Sequence, residues 1–166
     1  MDDLYVECLV AKKSSPVSAL IKGLVYGVTA VAVLGGLFIN PLLLVVAVAG
    51  GAAIYFALPM LSVEYEYLYV SKSLTVDKIF SKEKRKNAAE YDLEKMEIFA
   101  EEGAYQLDEY KNLQTVKKDY TSADPGKDRW IMVVRNGNTV EEIYLEPNEE
   151  MINAIKNHFP RKTFYK

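Results

Sequence analysis

The chain has 166 residues and a formal net charge of -3, enough length for one or two domains. Its single cysteine and single histidine exclude an internal disulfide and a zinc site built from several His and Cys ligands. Residues 1–63 hold three lysines and three acids, and the rest carry 17 basic and 20 acidic residues. That balance lacks the net basic face on which phosphate-neutralising nucleic-acid binders depend.

The leader Leu4–Val10 alternates, with Leu4, Val6, Cys8 and Val10 sharing a face. Such a pattern predicts a strand that pairs with the C-terminal domain. Cys8 has no helix N-terminus or histidine beside it in sequence and reads as a packed small residue. As the lone thiol it is also the natural probe of sidedness for an impermeant maleimide.

From Gly23 to Val63 there is no Asp, Glu, Lys or Arg, and Asn40-Pro41 sits near the middle. One continuous helix there would reach about 60 Å, twice the roughly 30 Å of a bilayer core. Two helices folded at residues 40–41 each fit, at 18–39 and 42–61. Lys22 lies in the first turns, where its stem reaches the interface. A signal peptide needs a shorter apolar region and a cleavage site, and a soluble hairpin would keep a polar stripe. Lys12, Lys13 and Lys22 precede or open the first span, basic residues follow the second, and the connection has none. The positive-inside rule then predicts a multi-pass cell-membrane protein with both termini cytoplasmic. Gly23 and Gly27 form a G-x-x-x-G pair, joined by Gly35, Gly36, Gly50 and Gly51 as candidate helix-packing positions. They serve packing within the hairpin or recognition of another helix.

After the hairpin the period changes to two. Val63–Val70 places Val63, Tyr65, Tyr67 and Tyr69 on one face, and Leu74–Phe80 follows a turn at Ser71-Lys72-Ser73. A third strand is expected within Tyr91–Ala100, with helix as its competitor. Ala104–Lys111 reads as a short helix, Leu113–Tyr120 as a strand, and Ser122–Lys127 as a loop. Arg129–Arg135 is a nearly continuous apolar strand; Asn136-Gly137 is a hairpin signal, and Thr139–Leu145 returns. Asn148 is the expected N-cap of a terminal helix whose apolar face is Met151, Ile152, Ile155 and Phe159, stopped by Pro160.

The Val63–Val70 strand, the Leu74–Phe80 strand with its basic tail, the Trp130–Leu145 hairpin and the Asn148–Phe159 helix together resemble the bacterial pleckstrin-homology-like domains, many of which follow a two-helix membrane hairpin. The resemblance implies an α+β chain: a transmembrane hairpin plus a partly closed antiparallel sheet with the terminal helix at one open end. Its expected division is a leader at 1–16, a hairpin at 17–62 and a PH-like domain at 63–166.

No motif for chemistry emerges. Lys78, Lys82, Lys84, Arg85 and Lys86 form the one dense basic run, a candidate contact for anionic lipid worth about 1 kcal/mol per charge near the surface, or else a solvated loop. His158 has no nucleophile context, the acids match no metal-binding loop, and no Gly-rich phosphate loop exists. Catalytic, metal and cofactor residues are therefore expected to be none, and no small-molecule substrate is expected. Most of the tyrosines read as core and cross-strand packing, with an interfacial role at the membrane–water boundary as the alternative for Tyr26, Tyr55 or Tyr65. The expected role is a non-catalytic membrane-anchored interaction or scaffold module whose partners are the bilayer and a protein, or a second copy. The alternative is a small subunit of a transporter or envelope complex that acts through its hairpin.

Overall fold

The structure, a computed structural model, describes residues 5–13, 16–80 and 84–166. The chain divides into two units, one holding the strands and the terminal helix, the other the two apolar helices.

In the strand unit, β1 (Tyr5–Ala11) runs antiparallel to β2 (Val63–Val70), from Tyr5 opposite Val70 to Ala11 opposite Glu64. β3 (Ser73–Phe80) and β4 (Lys84–Asp92) complete a four-stranded sheet in the order β1-β2-β3-β4. Ser71 and Lys72 both take positive φ, 46° and 72°, so the β2–β3 turn has the left-handed pair of a type I′ hairpin without a glycine. Val6, Cys8 and Val10 face the core beside Tyr69, Tyr67 and Tyr65, as the alternation predicts. Leu4 lies outside the described residues.

The second sheet has the order β6-β8-β7-β5-β9, with β5 Met96–Glu101, β6 Thr115–Asp119, β7 Trp130–Asn136, β8 Thr139–Leu145 and β9 Thr163–Phe164. Two pairings are parallel, β6 with β8 and β9 with β5, so the sheets are mixed rather than wholly antiparallel. Phe99, Leu93, Met96, Met132, Ile143 and Leu145 form the centre of the core together with Tyr67 and Tyr69. The final helix, α3 (Glu149–His158), buries Met151, Ala154 and Ile155; Asn148 caps it by accepting the Met151 N–H at 2.9 Å.

Three expectations need correction. The strand expected within Tyr91–Ala100 occupies only its second half: Tyr91 ends β4, Leu93–Lys95 is a 3-10 turn, and β5 starts at Met96. Asp92 starts that turn by accepting the Glu94 N–H, and the turn breaks the strand in two. In the β7–β8 hairpin Asn136 pairs with Thr139, so the two-residue loop is Gly137-Asn138. Gly137 alone takes positive φ, 61°, as a type II′ turn requires at its first central position.

The third correction lies in the helical unit. Helix α1 is Pro16–Phe38 and α2 is Leu43–Phe56, followed by a 3-10 turn, Leu58–Leu61. Asn40 organises the expected turn, its side chain accepting the Leu42 N–H at 2.9 Å and its carbonyl the Leu43 N–H at 3.0 Å. The second α-helix is shorter than 42–61 because Pro59 has no N–H to continue the i→i−4 ladder, and the chain tightens into the 3-10 turn instead.

Candidate functional site

Strands β5 and β7 are antiparallel neighbours, yet no hairpin joins them. The chain between them leaves one side of the sheet, forms a 3-10 helix at Tyr105–Tyr110 and returns as β6 beyond β8. Connections longer than about 12–15 residues are uncommon in compact domains unless they carry secondary structure of their own. This one is needed for packing: Trp130 to Val134 are all buried, so β7 is covered on both faces. Ile131 and Val133 pack with Ile98, Ala100, Ala104 and Leu107 under the excursion.

The cover is incomplete and leaves a cavity of about 420 Å³, within the roughly 300–1,000 Å³ of ligand pockets. Leu107, Ile131 and Val133 give it an apolar floor, while Leu113, Thr115 and Lys117 of the excursion form a wall. Glu142 of β8 is the buried charge there, 8% exposed. It accepts from Thr115 Oγ1 at 2.8 Å and from the Tyr144 hydroxyl at 3.1 Å, with Lys117 Nζ 3.7 Å away. Burial, then the neighbouring Glu142 carboxylate, raise the Tyr144 phenol above its ordinary value. Nearby, Arg135 forks onto Glu97 and holds that carboxyl below its ordinary range. Arg129 does the same geometrically with Glu102 at the rim, at 2.7 and 2.9 Å. Each of these three acids is matched by donors. Among the described residues no group of three or more His, Cys, Asp or Glu is placed to hold a metal ion.

The basic run is dispersed. Lys78 is half-buried with its ammonium 5.8 Å from the centre of the Tyr65 ring. Lys82 lies outside the described residues. Lys84, Arg85 and Lys86 open β4 rather than a loop, and Arg85 is engaged by Glu66 at 3.0 and 2.9 Å. Lys84 and Lys86 are exposed. The expected glycine set also divides. A Cβ would stand 2.8 Å from the Leu43 side chain at Gly35, 2.5 Å from Leu44 at Gly36 and 2.2 Å from Thr29 at Gly50. At Gly23, Gly27 and Gly51 it would meet nothing within 4 Å.

Cys8 donates to the Glu146 carbonyl at 3.7 Å and is buried, and burial raises its thiol pKa. It is a poor maleimide probe for that reason. His158 is tied to Tyr69, whose hydroxyl meets its Nδ1. Tyr65 is buried in the core, whereas Tyr26 and Tyr55 of the helices are exposed.

A four-stranded sheet and a second sheet around one core, with a C-terminal helix packed into it, define the class of pleckstrin-homology-like domains. Such domains are in general non-catalytic. The chain belongs to the bacterial PH-like domain family DUF6106, whose model matches residues 2–165. No curated protein and no solved structure matches it.

The cavity carries no sequence motif. The signal available was indirect: five consecutive apolar residues at Trp130–Val134 demanded cover on both faces of β7, and Ala104 and Leu107 of the excursion supply part of it.

Proposed function

We propose that this protein is a non-catalytic, membrane-anchored interaction module that holds a PH-like domain at the cytoplasmic face of the cell membrane. The observation that carries this reading is the surface of the helical pair. Leu20, Leu24, Val31, Leu34, Leu37 and Phe38 of α1 are 58–82% exposed, an apolar patch that water would not tolerate. Helix α1, at 23 residues and about 1.5 Å per residue, is long and apolar enough to cross a bilayer. Helix α2 has 14 residues, about 21 Å, and the following four-residue 3-10 turn adds about 8 Å. Lys22 donates to Ser62 Oγ at 3.0 Å, which brings the polar ends of the two segments together, as an interfacial boundary requires. Within this reading exposed Lys84 and Lys86 are the members of the basic run offered to anionic lipid.

Extraction of cell membranes with alkaline carbonate tests the anchor, with the protein expected in the pellet; release into the supernatant overturns it. Sidedness is read with cysteines placed at exposed Lys72 and Phe38 in a Cys8→Ala background. Impermeant maleimide should label the second in intact cells and the first only after lysis.

A second reading, a small subunit of a transporter or envelope complex, draws on Gly23, Gly27 and Gly51, whose faces are open in the hairpin. Leucine at Gly23 and Gly27 would then abolish recovery of a membrane partner that Lys84→Ser with Lys86→Ser leaves intact.

A further inference from the structure

We propose that the outer face of the first sheet docks a basic amphipathic helix of a partner protein, with the apolar stripe of the helix on β1 and β2 and its lysines or arginines beside Glu7 and Glu64. The proposal rests on the interaction-module reading and gives that module a binding face.

Strands β1 and β2 alternate between two environments. Val6, Cys8 and Val10 enter the core, so Tyr5, Glu7, Leu9 and Ala11 turn the other way, and all four are exposed. Their register partners are Val70, Leu68, Glu66 and Glu64. These alternate with the buried Tyr65, Tyr67 and Tyr69 and share the same outer face. A sheet with one solvated face turns polar residues outward. Here Tyr5 is 57% exposed, Leu9 59% and Val70 36%, and Leu68 is half-buried among them. Val70 lies opposite Tyr5, and Leu68 is diagonal to both Tyr5 and Leu9, a separation of about 7–8 Å that long side chains bridge. The four therefore make one patch rather than scattered single residues.

Charge decides the occupant. Asp77 follows the core residue Val76 on β3 and so joins Glu7, Glu64 and Glu66 on the outer face. Arg85 of β4 is held by Glu66 at 2.9 Å, and Asp77 accepts only from the neutral amide of Asn87. Glu7 and Glu64 have no basic partner among the described residues. Such a face repels anionic lipid, and a two-fold contact with a second copy would set its acids against each other. Basic residues beside apolar ones match both features of the face. Hydrogen bonding selects a helix over a strand. A sheet face offers no free backbone groups, so a strand laid on it would bury its own N–H and C=O groups unpaired, whereas a helix satisfies them internally.

The test uses the full chain in nanodiscs of zwitterionic lipid, with empty nanodiscs as the reference for binding to lipid. The probe is a synthetic peptide of about 18 residues, long enough to form a helix alone, with leucine at helical spacing and lysine on the flanks. Backbone amide resonances report where it binds. The peptide should shift the amides of residues 5–9 and 66–70, and binding should weaken as salt rises. Leu9→Ser with Val70→Thr, and separately Glu7→Lys with Glu64→Lys, should each weaken binding about tenfold or more with an unchanged far-ultraviolet spectrum. Glu109→Lys, an exposed acid of the 3-10 helix at Tyr105–Tyr110, should leave it unchanged. Equal binding by a peptide with glutamate in place of lysine, or by the Glu7→Lys, Glu64→Lys variant, overturns the proposal. Shifts of the same amides on raising protein concentration alone assign the face to a second copy, and shifts on adding anionic lipid alone assign it to the bilayer; either overturns it as well. A basic peptide that moves none of these resonances in a protein that stays in the carbonate pellet refutes this docking face and leaves the anchor standing.

Discussion

Tyr67 shows how a single side chain joins the two sheets. It is fully buried on β2, donates its hydroxyl to the Tyr120 carbonyl at 2.6 Å and accepts the Glu146 N–H at 3.3 Å. Its neighbours Tyr91 and Tyr120 meet through their hydroxyls at 3.3 Å, so a polar chain runs through an aromatic core. Burial raises the Tyr67 phenol far above its ordinary value, and the group stays a neutral donor. Tyr67→Phe keeps the ring and strands a buried carbonyl and a buried N–H, a loss of about 1–3 kcal/mol. Chemical denaturation should show a lower midpoint with an unchanged slope; an unchanged midpoint would deny the bridge. Charge acts differently at Glu97. Arg135 first, with smaller help from Tyr110, lowers its carboxyl below the ordinary 4.5. The stabilisation is therefore complete above that ordinary value and lost as pH falls through the lower folded value. Because the pair lies near the surface, Glu97→Gln should cost about 1 kcal/mol or less at neutral pH. The gap from the parent chain should close on acidification in a pH series of melting temperatures.

At the scale of elements, glycine spacing marks candidate contact and the partner helix decides which positions are used. Gly36 meets Leu44 Cγ at 2.6 Å and its backbone nitrogen at 3.1 Å from a would-be Cβ, while Gly23 meets nothing. Gly36→Ala must displace backbone and should lower the thermal midpoint of the detergent-solubilised protein, since overpacking costs about 1–3 kcal/mol. Gly23→Ala should leave the midpoint unchanged or raise it, because alanine is about 1 kcal/mol better than glycine inside a helix. Equal effects would mean that the hairpin does not depend on close approach at Gly36. The strands were legible where one residue type settles the alternation, as Tyr65, Tyr67 and Tyr69 do in β2. They were not legible where polar residues carry the strand. Lys84–Asn87 reads as a basic loop, yet Arg85 and Asn87 reach Glu66 and Asp77 across the neighbouring strands, contacts that no local pattern encodes. The hairpin turn slipped by one residue because Asn-Gly and Gly-Asn both satisfy a two-residue loop. Register was settled instead by the Trp130–Leu145 and Met132–Ile143 pairs, and a one-residue slip would have turned those side chains out of the core.

For the whole molecule, the decisive feature is that β1 and β2 are register partners separated by the entire helical pair. Ala11 lies opposite Glu64, so the PH-like sheet is closed by strands from both sides of an insertion of about 50 residues. The alternation at residues 4–10 hinted at this, because a hairpin returns the chain to the side it left. The cavity gave no such hint: the short helix at Ala104–Lys111 and the strand within Leu113–Tyr120 were legible one by one, but nothing in their sequence says that β6 pairs with β8 and leaves a space over β7. Partners at a strand end need only a tight turn between them, and a two-residue Asn-Gly turn joins antiparallel neighbours with the right twist. Replacing residues 12–63 by Asn-Gly should therefore yield a soluble chain with the strand unit intact. In that chain Val6, Cys8 and Val10 keep their places beside Tyr69, Tyr67 and Tyr65, while the exposed apolar helices are gone. The expected signs are cooperative thermal unfolding and slow amide exchange across residues 6–10. Rapid exchange there, or aggregation of the shortened chain, would mean that the strand unit needs the helical pair for its own folding and is not an independent domain interrupted by an anchor.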